Sequence, residues 1–394
     1  MVANRISTSG TIVNHLDRLP AIRDEWTEMH RDNPRTSIFN SFEYVKNWYE
    51  CFAQPEQVRI YRITADDRTI GFLPLVLYRK NRFRMLGSLT NNHCYHSVPL
   101  IRAGYEDTFP ALLAEVLFKD ASSWDVLTHG CTYSFSELSN WLSDEVIAGH
   151  GAVLTRNLQP TFSVLLDKQF KDYFQHDLSS KTRNCLRKYI KRIEQEGSVR
   201  YVQYGGDEAR RHFHDFVRLE DSGWKGAGGS SIKKCGPEYQ RYYDHLITML
   251  ADRDALRLYF LEYNGQTIAG IFGYTDAGTF HSFKIAYDEQ FSSFSPAHLL
   301  FIHVIEHLIT SSPEIRRLHM FPSDGGYKHR FTNEEATCAE NVLFGTTFRG
   351  KSLYLYSTMK NHLREIPGVL PLINRLRGKG ASHTDATTED REKS

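Results

Sequence analysis

Asp324, Tyr327, Lys328 and Arg330 crowd together just after a short run, Arg317-Leu318-His319-Met320-Phe321. A carboxylate, a phenol and two cations at that spacing could take a proton, return one and hold an anion. Asp324 could act as a base or anchor an acceptor, since ligands gather beyond the carboxyl ends of parallel strands. An aspartate that merely caps a turn would look the same. Tyr327 could protonate a leaving group, and Lys328 and Arg330 could grip a phosphate or carboxylate; ordinary surface roles fit them equally. His281, inside the run Thr279 to Tyr287, is a further base candidate or a packed strand histidine. Arg183 and Arg187 lie among Lys181, Lys188, Lys191 and Arg192. That run could face an anionic partner or be a solvated face. Trp224 and Lys225 open a glycine-rich stretch to Cys235, with the composition of a lid or of a loop whose tryptophan packs.

The elements that must position these residues are readable. Leu256 to Tyr263 is strand-like, and Asn264-Gly265 is a strong hairpin signal because both positions tolerate positive φ. Gln266 to Thr275 is the return strand, and Thr279 to Tyr287 the third. Phe294-Ser295-Pro296 opens a helix with Leu299, Ile302, Val304, Ile305 and Leu308 at helical spacing. The strand at 317–321 follows, so a helix joins two strands and predicts a parallel crossover.

A similar unit precedes it. Val58 to Thr64 and Thr69 to Tyr78 form a predicted hairpin, with Pro74 marking an edge or bulge. At a constant offset, Arg59 falls on Arg257, Tyr61 on Tyr259, Thr69 on Thr267 and Ile70 on Ile268. Strands near 84–89, 97–101 and 125–128, with a helix near 106–118, repeat the later order. Helices are also predicted over 16–30, 134–147, 179–196, 208–219 and 237–251. Thr161 to Asp167 reads as a strand closing the first unit. In the helix over 179–196, Cys185, Leu186, Tyr189, Ile190 and Ile193 make the apolar stripe.

Meander, helix and strand in this order resemble the GNAT (GCN5-related) acyltransferase fold. Ala286-Tyr287-Asp288, Ser295-Pro296-Ala297-His298-Leu299-Leu300, Asp324 with Tyr327 to Phe331, the basic run at Arg183 and Trp224 resemble its CelD/BcsL-like branch. That branch comprises acetyltransferases of cellulose biosynthesis and is related to FemAB-type aminoacyl transferases. The resemblance implies an α/β fold of two tandem GNAT-like units with mixed, largely antiparallel sheets. It implies acyl transfer from acyl-CoA to an amine, on a small molecule or a glycan, by direct attack. Phe283 and Ile285 would then border the pantetheine arm, and Ser295, Ala297 and His298 the pyrophosphate at a helix start. His281, Asp324 and Tyr327 would be catalytic, and Arg183, Arg187, Trp224, Lys328 and Arg330 would meet substrate. The usual glycine-rich pyrophosphate loop is missing, as in the FemAB-like relatives, so an aminoacyl-tRNA donor is an alternative. A non-catalytic scaffold in a polysaccharide machine is another.

The expected layout is an N-terminal unit over 1–170 without a donor site, a catalytic unit over 171–348, basic apolar helices over 349–380 and a disordered tail over 381–394. The 394 residues carry a net charge of +1, which gives no global attraction to DNA. Six cysteines without a CxxC pair suit reduced thiols. The sequence offers no HExxH motif, and His303 with His307 lacks a third ligand, so no metal is expected. Without a signal-like or spanning apolar stretch, a cytoplasmic protein is expected, with membrane contact conceivable through 349–380.

Overall fold

The computed structural model describes residues 8–33, 36–94, 97–133, 149–157, 160–322 and 326–365, with Leu142 and Ile147. Asp324, most of the helix expected over 134–147, and the chain beyond 365 lie outside the described residues. The first half runs β1 (Thr8–Val13), α1 (Arg23–Asp32), α2 (Phe42–Phe52), β2 (Val58–Ala65), β3 (Arg68–Lys80), β4 (Phe83–Ser88), β5 (Leu100–Ile101), α3 (Phe109–Lys119), β6 (Val126–Tyr133), β7 (Ala152–Asn157) and β8 (Thr161–Leu165). The second runs α4 (Ser180–Glu196), β9 (Val199–Gly205), α5 (Gly206–Ser222), α6 (Pro237–Asp252), β10 (Leu256–Tyr263), β11 (Gln266–Asp276), β12 (Thr279–Tyr287), α7 (Pro296–Ser311) and β13 (Arg317–Met320). β14 (Glu334–Ala336), β15 (Cys338–Phe344) and α8 (Phe348–Glu365) follow.

Two mixed sheets result, ordered β1-β2-β3-β4-β6-β15-β7 and β14-β8-β13-β12-β11-β10-β9, with β5 attached to β3. Both contain the crossover expected of a helix between strands. β4 and β6 are parallel across α3, and β12 and β13 are parallel across α7. The halves exchange strands. β8, expected to close the first unit, pairs with β13 and β14 in the second sheet. In return β15 enters the first sheet between β6 and β7. An apolar run of this length satisfies any sheet with a vacant edge, and its period does not name the partner.

The repeat is present in detail. Asp66 and Asp67 (φ 48° and 61°) make the first hairpin turn, and Asn264 and Gly265 (φ 49° and 80°) make the second. Each hairpin shifts register at the same place, between Ile63 and Thr64 and between Leu261 and Glu262. Arg59 donates to the Glu56 and Val58 carbonyls; its twin Arg257 donates to those of Asp254 and Leu256. Twin positions even meet each other. The Tyr242 hydroxyl lies 3.2 Å from that of Tyr44, and His245 Nδ1 lies 2.9 Å from Asn47 Oδ1.

Two expectations change. Pro74 lies on a central strand, not an edge. On that strand's second side it falls between the β5 pairing at 71–72 and the β4 pairing from 75. The helix expected from Leu16 begins as a 3-10 segment, Leu16–Ile22, containing Pro20, and becomes α-helical at Arg23. Proline lacks the N–H that an α ladder needs.

α1, α2, α5 and α6 form the central core, with Trp26, Tyr44, Phe213 and Tyr242 packed against residues of β2, β3, β10 and β12. α3 packs outside the first sheet, and α4 and α7 outside the second. α4 buries Leu186 and Ile193, whereas Cys185, expected in its stripe, is exposed. Among the described residues Cys51, Cys94, Cys185, Cys235 and Cys338 are free thiols. α8 rests Leu353 and Tyr354 on Val126, Val342 and Phe344 but leaves Phe348, Leu355, Tyr356 and Met359 exposed. No helix among the described residues is long and apolar enough to cross a membrane.

Candidate active site

β12 is the strand on which the site is built. Its pairing with β11 shifts register between Phe272 and Gly273, opposite Ser282 to Lys284. A bulge bends the strand and re-aims its side chains. Here Phe283 and Lys284, though adjacent, both line one cavity of about 430 Å³. On the other side β12 pairs with β13 only from Thr279 to Ser282, while the strand continues to Tyr287. The backbone edge beyond Ser282 has no strand partner among the described residues. The Ile285 carbonyl accepts from Lys225 Nζ at 2.8 Å.

The cavity lies where the two halves meet. Asn92 and His93 come from the first half. Trp224, Lys225, Ser230, Lys234 and Cys235 come from the loop between α5 and α6, and Tyr239 and Tyr243 from α6. That loop is closely packed: a Cβ at Gly226 would stand 1.8 Å from the Asp221 carbonyl oxygen. His93 bridges the halves, with Nδ1 3.0 Å from the Tyr243 hydroxyl and Nε2 3.1 Å from Cys235 Sγ. Burial and the neighbouring Lys284 push His93 down to about 4, so the ring is neutral at physiological pH. Burial also raises the Cys235 thiol.

Beneath the cavity, Glu220 is a carboxylate in the core, 1% exposed. Its Oε1 accepts from Lys284 Nζ at 2.8 Å and from Lys225 Nζ at 3.4 Å, and its Oε2 from the Ile232 N–H at 2.9 Å. Burial alone would raise its pKa, but the two ammonium groups and these bonds hold it below the ordinary glutamate value. Lys225 is pushed down to about 8, first by burial and then by Lys284. An ammonium this close to neutrality can exchange its proton near pH 8.

His281 stands two residues before Phe283 but does not line the cavity. It stacks on Tyr274 at 4.8 Å, and its Nδ1 is 3.2 Å from His319 Nδ1. His319 Nε2 lies 2.7 Å from the Thr161 hydroxyl, which donates to the Met320 carbonyl. With that hydroxyl proton committed, the neutral chain runs His281 to His319 to Thr161. His281 Nε2 then carries the lone pair that a base needs. Thr161 belongs to β8, so the strand exchanged from the first half sets this tautomer.

At the start of α7, Ser295 is left-handed (φ 53°), and its hydroxyl lies 2.7 Å from His298 Nδ1. The His298 ring is 6.2 Å from that of Tyr327, whose phenol burial raises to about 12. Ser295, Ala297, His298 and Tyr327 are thus gathered at one helix end. Lys328 is buried and donates to the Phe321 carbonyl, while Arg330 is exposed. Arg183 donates to the Gln175 and Leu178 carbonyls, and Arg187 lies over the Phe174 ring. Both arginines are on α4, across the second sheet from the cavity. His303 and His307 pack on Tyr201 and Tyr259.

Sequence reasoning missed Glu220, Lys284, His93 and Cys235. For Glu220 a signal existed: it continues the buried stripe of Ala209, Phe213 and Phe216 on α5. A carboxylate on a core stripe needs cations to meet it.

Residues 180–329 match the family model described as an acetyltransferase (GNAT) domain. Among solved structures, FemX aligns with a TM-score of 0.51 at 9% identity, covering 80% of this chain and 95% of that one. A conserved protein of unknown function from Bacteroides thetaiotaomicron VPI-5482 aligns at 0.48 and 13% identity, over 82% and 97%. A tandem GNAT protein from the clavulanic acid biosynthesis pathway aligns at 0.43 and 12%, over 86% and 100%. No curated protein matches the sequence. Residues 180–329 thus match a GNAT-type domain in sequence, and the α/β architecture of two mixed sheets shares its fold with FemX.

Proposed function

We propose that this protein is an acyltransferase that moves an acyl group from acyl-CoA to an amine by direct attack. The acceptor is a sugar or polysaccharide precursor, as the CelD/BcsL-like resemblance implies. One observation carries the reading: β12 runs on from Phe283 to Tyr287 past its last pair with β13 and leads to the start of α7, with the Ile285 carbonyl in that stretch held by Lys225. A pantetheine arm has peptide-like amides that can pair with such an edge. The pyrophosphate then meets the positive end of α7 near Ser295, Ala297 and His298. His281 Nε2 takes the proton from the acceptor ammonium. The amine nitrogen bonds to the thioester carbon, the C–S bond breaks, and Tyr327, still protonated at neutral pH, supplies the thiolate with a proton. Asp324 anchors the acceptor.

Calorimetric titration with acetyl-CoA, a long-chain acyl-CoA and free CoA tests the reading. Micromolar binding of the acyl-CoAs is expected. Absence of binding by all of them would contradict it and favour a charged tRNA as donor, or a scaffold.

The exposed stripe of α8 favours peripheral membrane contact. Phe348, Leu355, Tyr356 and Met359 share one face, with Arg349, Lys351 and Lys360 on the same helix. An apolar face with basic residues suits an anionic bilayer surface. Co-sedimentation with anionic liposomes should fall when Leu355 and Met359 are both changed to Ser; an unchanged pellet would end this part of the proposal.

A further inference from the structure

Three lysines border the cavity, and only one buried carboxylate answers them. Lys284 and Lys225 share Glu220, and Lys234 Nζ donates to the Gly226 carbonyl at 3.0 Å. Among the described residues no acid lines the cavity itself, though others stand close by: Asp221 meets Lys233 and Ser231 and also faces Lys234, Glu289 accepts from the Trp224 N–H, and Glu238 faces Cys235 and Tyr239. With His93 neutral, the wall carries surplus positive charge in a partly desolvated recess, where a charge-assisted hydrogen bond is strong. At the mouth, Trp224 is 60% exposed, a large flat ring facing solvent beside these cations. Aromatic faces pack against the apolar faces of sugar rings and heterocycles.

We propose that this cavity holds the anionic part of the acceptor, a phosphate or a carboxylate bound by Lys284, Lys225 and Lys234 with its ring against Trp224, while the acceptor amine reaches past Phe283 toward His281. The inference rests on the acyltransferase reading, from which the amine comes; the anion and the ring come from the cavity itself. Glu220 has two functions here. It keeps Lys225 and Lys284 protonated in a buried place, and it holds both ammonium groups on one side of the recess. The three lysines disfavour an amine that brings no anion, since a polycation would add repulsion without a partner.

The test uses full-length protein and three amino sugars: glucosamine, glucosamine 6-phosphate and glucosaminuronic acid. Calorimetry should show binding of at least one of the two anionic sugars, and the better of them names the anion. Glucosamine should bind at least about tenfold more weakly. Lys234→Gln, at an exposed position, should weaken the anionic sugar several-fold and leave glucosamine unchanged. The double variant Glu220→Gln with Lys284→Met removes one of the three ligating ammonium groups together with the carboxylate it shares with Lys225, and should weaken the anionic sugar several-fold. Equal affinity for all three sugars, or variants that bind as the native protein does, would overturn the proposal. So would competition between free CoA and glucosamine 6-phosphate, which would assign the lysines to the donor. Anionic sugar binding without acetyl-CoA binding would leave this site standing and remove the donor assignment. Acetyl-CoA binding with no sugar response would do the opposite.

Discussion

The two halves share a hairpin down to its turn, its bulge and the arginine that braces its first strand, yet they part at the third strand. β4 pairs with β6 from Met85 to Gly87 and ends at Ser88, almost where its crossover partner leaves it. β12 is bulged at Phe283, loses β13 after Ser282 and runs on to Tyr287. A third strand that outruns its parallel partner by this much, beside a helix start, is found in the second half alone among the described residues. The comparison teaches that the repeat keeps what folds the hairpin, while in the second half alone the third strand is bulged and longer, and it lines the cavity. The first half contributes differently, through His93 at the cavity and Thr161 behind the histidine chain.

The largest predicted effect concerns whether the halves are separable. Residues 1–170 alone lack β15 and so leave β6 and β7 without the strand between them. That fragment should show no cooperative unfolding transition by circular dichroism, and adding residues 171–394 in trans should restore one. A cooperatively folded fragment would break the view of two interlocked sheets.

Next is Glu220→Ala, which strands two partly buried ammonium groups. It should cost about 3 kcal/mol in denaturant unfolding. Counted from β1 and β9, which pair with twin strands, the matching place in the first half is not a carboxylate but Met29, in its own core. Met29→Leu should cost less than about 1.5 kcal/mol.

A pH series sharpens the same point. Lys225 is lowered from the ordinary lysine value to about 8. Between about pH 8 and the ordinary value, the folded state has released a proton that the unfolded chain retains. From this group stability rises with pH in that window. Anion binding should move the other way, weakening as pH rises through about 8, whereas Lys225→Met should flatten that limb.

The smallest effect should fall equally on both halves. Arg59→Met and Arg257→Met each remove donors to the same pair of twin carbonyls, and each should cost about 1 kcal/mol in urea unfolding. A large inequality would mean that the shared brace no longer does the same work in both hairpins.

Much of this fold was legible because it is local. Asn264-Gly265 declares its turn through positive φ, and α7 declares itself through Leu299, Ile302, Val304 and Leu308. The twin hairpin followed from a few side chains at one offset. What escaped was non-local. β8 is a short apolar run whose partner, β13, is far along the chain, and the run carries no mark of which sheet takes it. Pro74 signalled an edge or a bulge, where the structure instead leaves a gap between two neighbours. The cavity assembles His93, Glu220, Cys235 and Lys284 from four separate elements, none carrying a motif. The charge run at Arg183 and Arg187 did not reveal the carbonyls and the ring that these two side chains meet.

The most direct test of the central claim is hydrogen exchange along the third strand of each half, with and without acetyl-CoA. The account predicts slower exchange at Phe283 to Tyr287 on adding acetyl-CoA, and no change at Phe83 to Ser88. Protection of the first-half strand instead, or of neither, would contradict it.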